Sequence, residues 1–278
     1  MEFRTVVDIP KSTFQIEPCE EMLLVGSCFA DSIGQRFKNE KFRATVNPFG
    51  VMYNPASIFH TIQRIANIPR VVFLTLGTNH VYRLRETGEI VDNCEKRPQR
   101  LFQEEELTVE ECVGYLRQTV ELLKARNPEV QIVLTVSPIR YQKYGFHDSQ
   151  LSKATLLLAI SKAISDWQLA VSQKPTAKVQ QPIYFPAYEI VNDELRDYRF
   201  YAADMIHPSA QAVDYIWERL SETYFSEATK QFLDEWHPIK QALAHKPFNP
   251  ESEEYKSFMD KTMLKVEALR KKYSTFDL

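Results

Sequence analysis

The chain has no long hydrophobic run. Nowhere in its 278 residues does an apolar stretch approach the ~18–20 residues of a membrane span, so no membrane-spanning helix is expected. The opening Met1-Glu2-Phe3-Arg4-Thr5 lacks the apolar core of a secretory signal, and the expectation is a cytoplasmic protein. Four cysteines, Cys19, Cys28, Cys94 and Cys112, show neither CxxC spacing nor a disulfide ladder, which predicts reduced thiols. Charge of neither sign dominates: the net value is −3, leaving no basic surface to recommend nucleic acid or anionic membrane as a partner. No His/Cys/Asp/Glu group has metal-ligand spacing, so neither a metal nor another cofactor is expected. There is no internal repeat and no low-complexity segment.

What is present is a sequence able to bury a large core, 44% hydrophobic and 26% charged. Residues 1–20 read as a lead-in with little structure of its own. Glu21–Val25 predicts a strand, and Phe29, Ile33 and Phe37 at i, i+4, i+8 predict a helix packed on a sheet. A second strand over Lys41–Asn47 closes in the turn composition Asn47-Pro48-Phe49-Gly50. Pro55 opens a helix, and Val71–Leu76 is a β-branched run of the kind buried on both faces of a parallel sheet. Residues 81–107 lack periodicity and read as an excursion over the active face. Thr108 and Glu111 form a capping-box pattern before a helix that Asn127-Pro128 stops, and Val130–Val136 is the next strand. A helix over about 150–173, a last strand over Ile183–Val191 interrupted by Pro186, and a helix announced by His207-Pro208-Ser209 follow. From 226 onward only helices are expected, over about 226–245 and 251–273. Strand–helix alternation five times over predicts a three-layer α/β/α sandwich with a mainly parallel sheet. The expected division is an α/β domain over 1–225 and a C-terminal helical extension over 226–278.

In such sheets the working groups gather beyond the carboxyl ends of the strands. Those ends carry Ser27 and Cys28, then Gly50, then Asn79 and His80, then Arg140, then Asp204 and His207. The set holds what acyl transfer needs: a nucleophile, a base, a carboxylate to orient the base, and donors for an oxyanion. Three-residue spacing lets the Asp204 carboxylate meet one nitrogen of His207 and leaves the other for the nucleophile. Arg140, Arg196 and Arg199 are candidates for an anionic substrate group, with ion pairing inside the protein as the alternative.

The pentapeptide Gly26-Ser27-Cys28-Phe29-Ala30 resembles the name-giving motif of the GSCFA family, which is distantly similar to the SGNH/GDSL hydrolases. The resemblance extends over most of the chain, through Asn47-Pro48-Phe49-Gly50 with Tyr53-Asn54-Pro55, Gly77-Thr78, Ser137-Pro138 and Asp204–Pro208. It implies a flavodoxin-like, five-stranded SGNH-hydrolase-like sheet of order 2-1-3-4-5. It also implies metal-independent hydrolysis of an ester or related acyl bond, the substrate being a small molecule or an acylated carbohydrate. Asp204 and His207 match the superfamily's Asp-x-x-His block. Gly77-Thr78-Asn79 matches its Gly-x-Asn block, whose amide donates to the oxyanion, and Gly50 stands as the backbone donor. In the first block Ser27 fits the superfamily's residue type and Cys28 fits its spacing; residue type places Ser27 ahead. Asp31-Ser32 mimics the motif one turn later, inside the helix.

Each residue also has a structural alternative. Ser27 can cap the helix, Cys28 can be a small buried apolar residue, Asp204 can hold its loop, His207 can cap the helix before Pro208, and Asn79 can be a turn residue. His60, His147 with Asp148, His237 and His245 read as packing or surface residues. Their joint placement at strand ends favours an esterase or deacylase, with an acyltransferase or a non-catalytic binding protein on a hydrolase fold as the other readings.

Overall fold

The computed structural model describes residues 4–92, 94, 97–172 and 180–278. Five strands form one parallel sheet in the order β2-β1-β3-β7-β8: β1 (Glu21–Gly26), β2 (Arg43–Val46), β3 (Val71–Leu76), β7 (Gln131–Val136) and β8 (Ile183–Tyr184). Counted along the chain within this sheet, the order is 2-1-3-4-5, as expected. The central strands bury nearly every side chain because helices cover both faces. Alternation then sorts them into two cores. Met22, Leu24, Phe73 and Val133 face α1 (Cys28–Asn39), α6 (Ala210–Tyr224), α7 (Glu227–Ala244) and α8 (Glu253–Lys272). Leu23, Val25, Leu74 and Leu134 face α2 (Pro55–Arg64), α3 (Val109–Arg126) and α4 (Gly145–Ser172). Each such side chain contributes roughly 1.5–3 kcal/mol on burial.

The C-terminal helices share the first core. Phe232, Trp236, Ile239, Val266 and Leu269 pack in the cluster that contains Phe37 and Trp217, whose rings meet edge-on at 4.8 Å. At the end of α1 the buried Glu40 carboxylate meets Lys240 at 2.7 Å and His237 at 3.3 Å, both from α7. The Arg36 guanidinium, one turn back on α1, stands 3.6 Å from the same carboxylate. Among the described residues no helix is long and apolar enough to cross a membrane.

Four expectations change. The lead-in is not idle: Phe14, Ile16 and Cys19 are core residues, and Ile16 bridges Phe225. The 81–107 excursion contains a second, antiparallel sheet of order β5-β4-β6, from β4 (His80–Leu84), β5 (Ile90–Val91) and β6 (Phe102–Glu106). Its strands are short, five, two and five residues, and β6 carries three glutamates, so alternation was hard to see. The last strand stops at Tyr184; a helical turn, α5 (Ala187–Glu189), and a π-helical stretch over Ile190–Leu195 follow Pro186, which has no N–H for a ladder. Finally, α4 begins at Gly145, earlier than expected. The expected end of this helix at 173 lies outside the described residues.

Candidate active site

The turn between β1 and α1 is built around Gly26. Its φ is +148°, and a methyl group there would run into the Thr75 backbone on β3, so only glycine fits. The loop after β2 holds both of its backbone polar groups. Asn47 Oδ1 accepts from the Gly26 N–H at 2.8 Å, and the Met52 N–H donates to the Gly26 carbonyl at 2.9 Å. Asn47 is itself tied to Asp31 on α1 at 2.7 Å. The Asn47–Gly50 turn thus fixes where β1 ends and α1 begins.

Ser27 and Cys28 leave this turn with different fates. Ser27 is 2% exposed, its N–H donates to Thr75, and its Oγ accepts from the Phe29 N–H at 3.3 Å as the cap of α1. Cys28 is the first helical residue and is half-buried, with Sγ 3.6 Å from the Tyr53 hydroxyl. Its backbone N–H makes no hydrogen bond to a described residue, as befits the first turn of a helix. That N–H points with the positive end of the 12-residue α1 dipole. Burial pushes the Cys19 and Cys112 thiols up to about 11 and about 12, away from thiolate chemistry. Burial, with the Cys28 contact next, also raises Tyr53, so its phenol stays protonated.

Asp204 and His207 form the expected pair. The Asp204 Oδ2 to His207 Nδ1 distance is 2.6 Å, while Oδ1 accepts the backbone N–H groups of Ile206 and His207 at 2.9 and 3.0 Å. Those N–H groups, that of His207 first, and the imidazole hold the Asp204 carboxyl down to about 2. Met205 between them takes a left-handed φ of +58°, the kink that folds carboxylate and imidazole together. His207 is 43% exposed and its Nε2 is left open. Ser209, not His207, caps α6.

A chain of contacts joins the two halves. Tyr53 packs on Tyr141 with ring centroids 6.1 Å apart. The neighbouring Arg140 donates its backbone N–H to Ile206 and its guanidinium to Met205, each at 3.1 Å. Arg140 also stacks on Phe146 at 4.0 Å, so it is a strut under the Asp204–His207 bend rather than a free anion binder. The two expected oxyanion donors are engaged elsewhere. The Gly50 N–H donates to Asn47, closing the turn. Asn79 is buried, and its amide donates to the Leu107 carbonyl at 2.8 Å. Both therefore act here as loop anchors.

The other named residues follow their structural alternatives. Arg196 and Arg199 pair with Asp193 and Asp197, and His237 pairs with Glu40. His60 meets Asp92 at 2.7 Å beside a cavity of about 310 Å³, His147 and Asp148 are exposed at the start of α4, and His245 lies against Tyr255 and Phe258. Ser32 donates to the Cys28 carbonyl inside α1. Among the described residues no group of three or more His, Cys, Asp or Glu is placed to hold a metal ion. Two residues escaped the sequence reading. Tyr53 carries no signal beyond its place before Asn54-Pro55. Lys153 does carry one: it stands on the buried stripe of α4 with Leu156 and Ile160, at i, i+3, i+7.

Residues 21–70 and 66–220 match the model of the GSCFA family, and residues 236–278 match that of the GSCFA domain protein, C-terminal domain. No curated protein matches the chain. Among solved structures it is similar to a family 3 carbohydrate esterase of Clostridium thermocellum, with 13% identity, 81% of this chain and 99% of that one covered, and a TM-score of 0.41. A GDSL-like lipase from Bacteroides thetaiotaomicron shows 15% identity, coverage of 78% and 89%, and a TM-score of 0.42. A protein from Lactobacillus plantarum shows 10% identity, coverage of 76% and 100%, and a TM-score of 0.49.

Proposed function

The chain belongs to the GSCFA family, and from that premise we propose that it cleaves acyl esters with Cys28 as nucleophile, His207 as base and Asp204 as the group that orients the base. One observation carries the choice of nucleophile: Ser27 is buried and holds the helix start, whereas Cys28 is accessible at the same turn. Residue type alone ranks the two the other way. His207 Nε2 takes the proton from the Cys28 thiol as Sγ bonds to the substrate carbonyl carbon. The carbonyl π electrons move to oxygen, where the free Cys28 N–H at the α1 terminus receives the developing charge. As the carbonyl re-forms, the C–O bond breaks and the departing alcohol takes the proton from His207. Water, deprotonated by His207, then attacks the thioester, and the expelled thiolate recovers its proton as the acid leaves. Asp204 keeps Nδ1 as the donor side of the ring throughout.

The experiment is steady-state hydrolysis of p-nitrophenyl acetate and of an acetylated sugar by the wild type and by Cys28→Ala, Ser27→Ala and His207→Ala. Losses of roughly 10³-fold or more in kcat are expected for Cys28→Ala and His207→Ala. Ser27→Ala should keep kcat within about tenfold, since only a helix cap is lost. Full activity in His207→Ala would end the proposal. A loss confined to Ser27→Ala would move the nucleophile by one residue.

A further inference from the structure

Lys153 is a charged side chain in a place where charges are rare. It is 2% exposed on the core-facing stripe of α4, and no described carboxylate stands within ion-pair distance. Its Nζ donates to the Gly77 carbonyl at 2.5 Å. Burying an ammonium against one carbonyl is costly, and a methionine of similar shape would fill the space without that cost. The lysine is therefore informative through what it touches.

Gly77 lies directly under the nucleophile turn. A β-carbon at Gly77 would stand 3.2 Å from the Ser27 Cβ and 3.1 Å from the Tyr53 carbonyl oxygen. The Gly77 and Thr78 N–H groups both donate to that Tyr53 carbonyl, at 2.7 and 2.9 Å. The peptide whose carbonyl accepts from Lys153 is the one whose N–H, on Thr78, grips Tyr53. Donation at one end of a peptide polarises it and strengthens the bond made at the other end. The Tyr53 hydroxyl in turn meets Cys28 Sγ. The next residue back along α4, Ser152, holds the same turn from the side: its Oγ lies 2.9 Å from Thr78 Oγ1 and accepts the Asn79 N–H at 3.0 Å.

We infer that Lys153 is a positioning residue for the nucleophile turn, acting through the Gly77–Thr78 peptide to hold Tyr53 against Cys28. This rests on the reading of Cys28 as nucleophile for its kinetic consequence, though not for its structural one. Ser152 and Lys153 together make α4 the base on which the Gly77–Asn79 turn is set. Burial pushes the Lys153 ammonium down to about 7, the mark of a group with little to stabilise its charge beyond the Gly77 carbonyl.

The test is Lys153→Met, which keeps the volume and removes the donor, measured in two ways. Native-state hydrogen exchange at the Gly77 and Thr78 amides should accelerate at least about tenfold, while α3 amides remote from the turn keep the wild-type rate. With an acyl ester substrate, kcat should fall about tenfold and KM should stay within about twofold, because the contact orients the nucleophile and not the substrate. A lysine that only fills space would move neither readout. Unchanged exchange at Gly77 and Thr78 overturns the inference, and so does faster exchange with unchanged kcat. If the wild type cleaves no ester, the proposed function fails, and exchange still decides whether Lys153 holds the turn. Should Lys153→Met not fold, Lys153→Gln, which retains a neutral donor on a shorter stem, is expected to show the same two changes at smaller amplitude; wild-type exchange or wild-type kcat in that variant overturns the inference.

Discussion

Replacing Lys153 by Met changes how the protein's stability depends on pH, and the size of the change follows from burial. A free lysine titrates near 10.4, whereas desolvation brings Lys153 down to about 7. Between those values the unfolded chain binds a proton that the folded chain does not. Stability must therefore rise with pH across that window, level off above it, and carry a constant penalty below about 7. At ~1.4 kcal/mol per unit, this one group adds about 4 kcal/mol of stability to the wild type between pH 7 and pH 10. Lys153→Met lacks the term. At pH 7 the variant escapes that penalty but loses the bond that even the neutral amine makes to Gly77, about 0.5–1.5 kcal/mol, so it should be the more stable protein by about 3 kcal/mol. At pH 10 the two proteins should lie within about 1 kcal/mol of each other. Urea denaturation of both proteins at several pH values measures this, and groups common to both cancel in the difference. Parallel stability–pH curves would show that Lys153 titrates normally and refute the account of its burial.

Gly26→Ala should cost about 3 kcal/mol or more, since the methyl meets the Thr75 backbone and the φ of +148° suits only glycine; a thermal midpoint within 2–3 °C of wild type would contradict this. Ser27→Ala should lower stability by about 1 kcal/mol as the α1 cap is lost, read by urea denaturation, with an unchanged midpoint counting against the cap. Lys240→Met removes one partner of the buried Glu40 carboxylate and should destabilise by about 1.5 kcal/mol, since Arg36 and His237 stay beside it; equal stability would show that α7 is held by packing alone. Asp204 is held down to about 2, so its contribution is present above the usual ~3.9 and lost only as pH falls through about 2; the pH–rate profile should show no Asp204 limb above pH ~3, and Asp204→Asn should cut kcat by about 10²–10⁴-fold at neutral pH.

The sheet was legible because burial on both faces leaves an unmistakable mark, as in Val71–Leu76, where every residue is buried. Helices announced themselves through caps such as Thr108 and Glu111, whose reciprocal bonds are present. The small β4–β6 sheet was not legible, because edge strands such as Phe102–Glu106 carry charge on most positions. At the site, Asp204 and His207 could be read from a three-residue spacing because the pair is local. Gly50 and Asn79 could not: whether an N–H is free depends on tertiary partners, here Asn47 and Leu107, that spacing does not name. The choice between Ser27 and Cys28 was of the same kind. Exposure, which spacing does not report, is what separates the buried cap Ser27 from the half-buried Cys28 one residue away.

The proposed chemistry depends on which of these two residues takes the acyl group. Wild-type protein mixed with a slowly deacylating activated ester, quenched in acid, digested and sequenced by tandem mass spectrometry, should carry the acyl group on Cys28. The adduct should be labile to neutral hydroxylamine, as a thioester is, and absent in His207→Ala at the same time point. An acyl group on Ser27, or equal labelling of Cys28 with and without His207, would contradict the account.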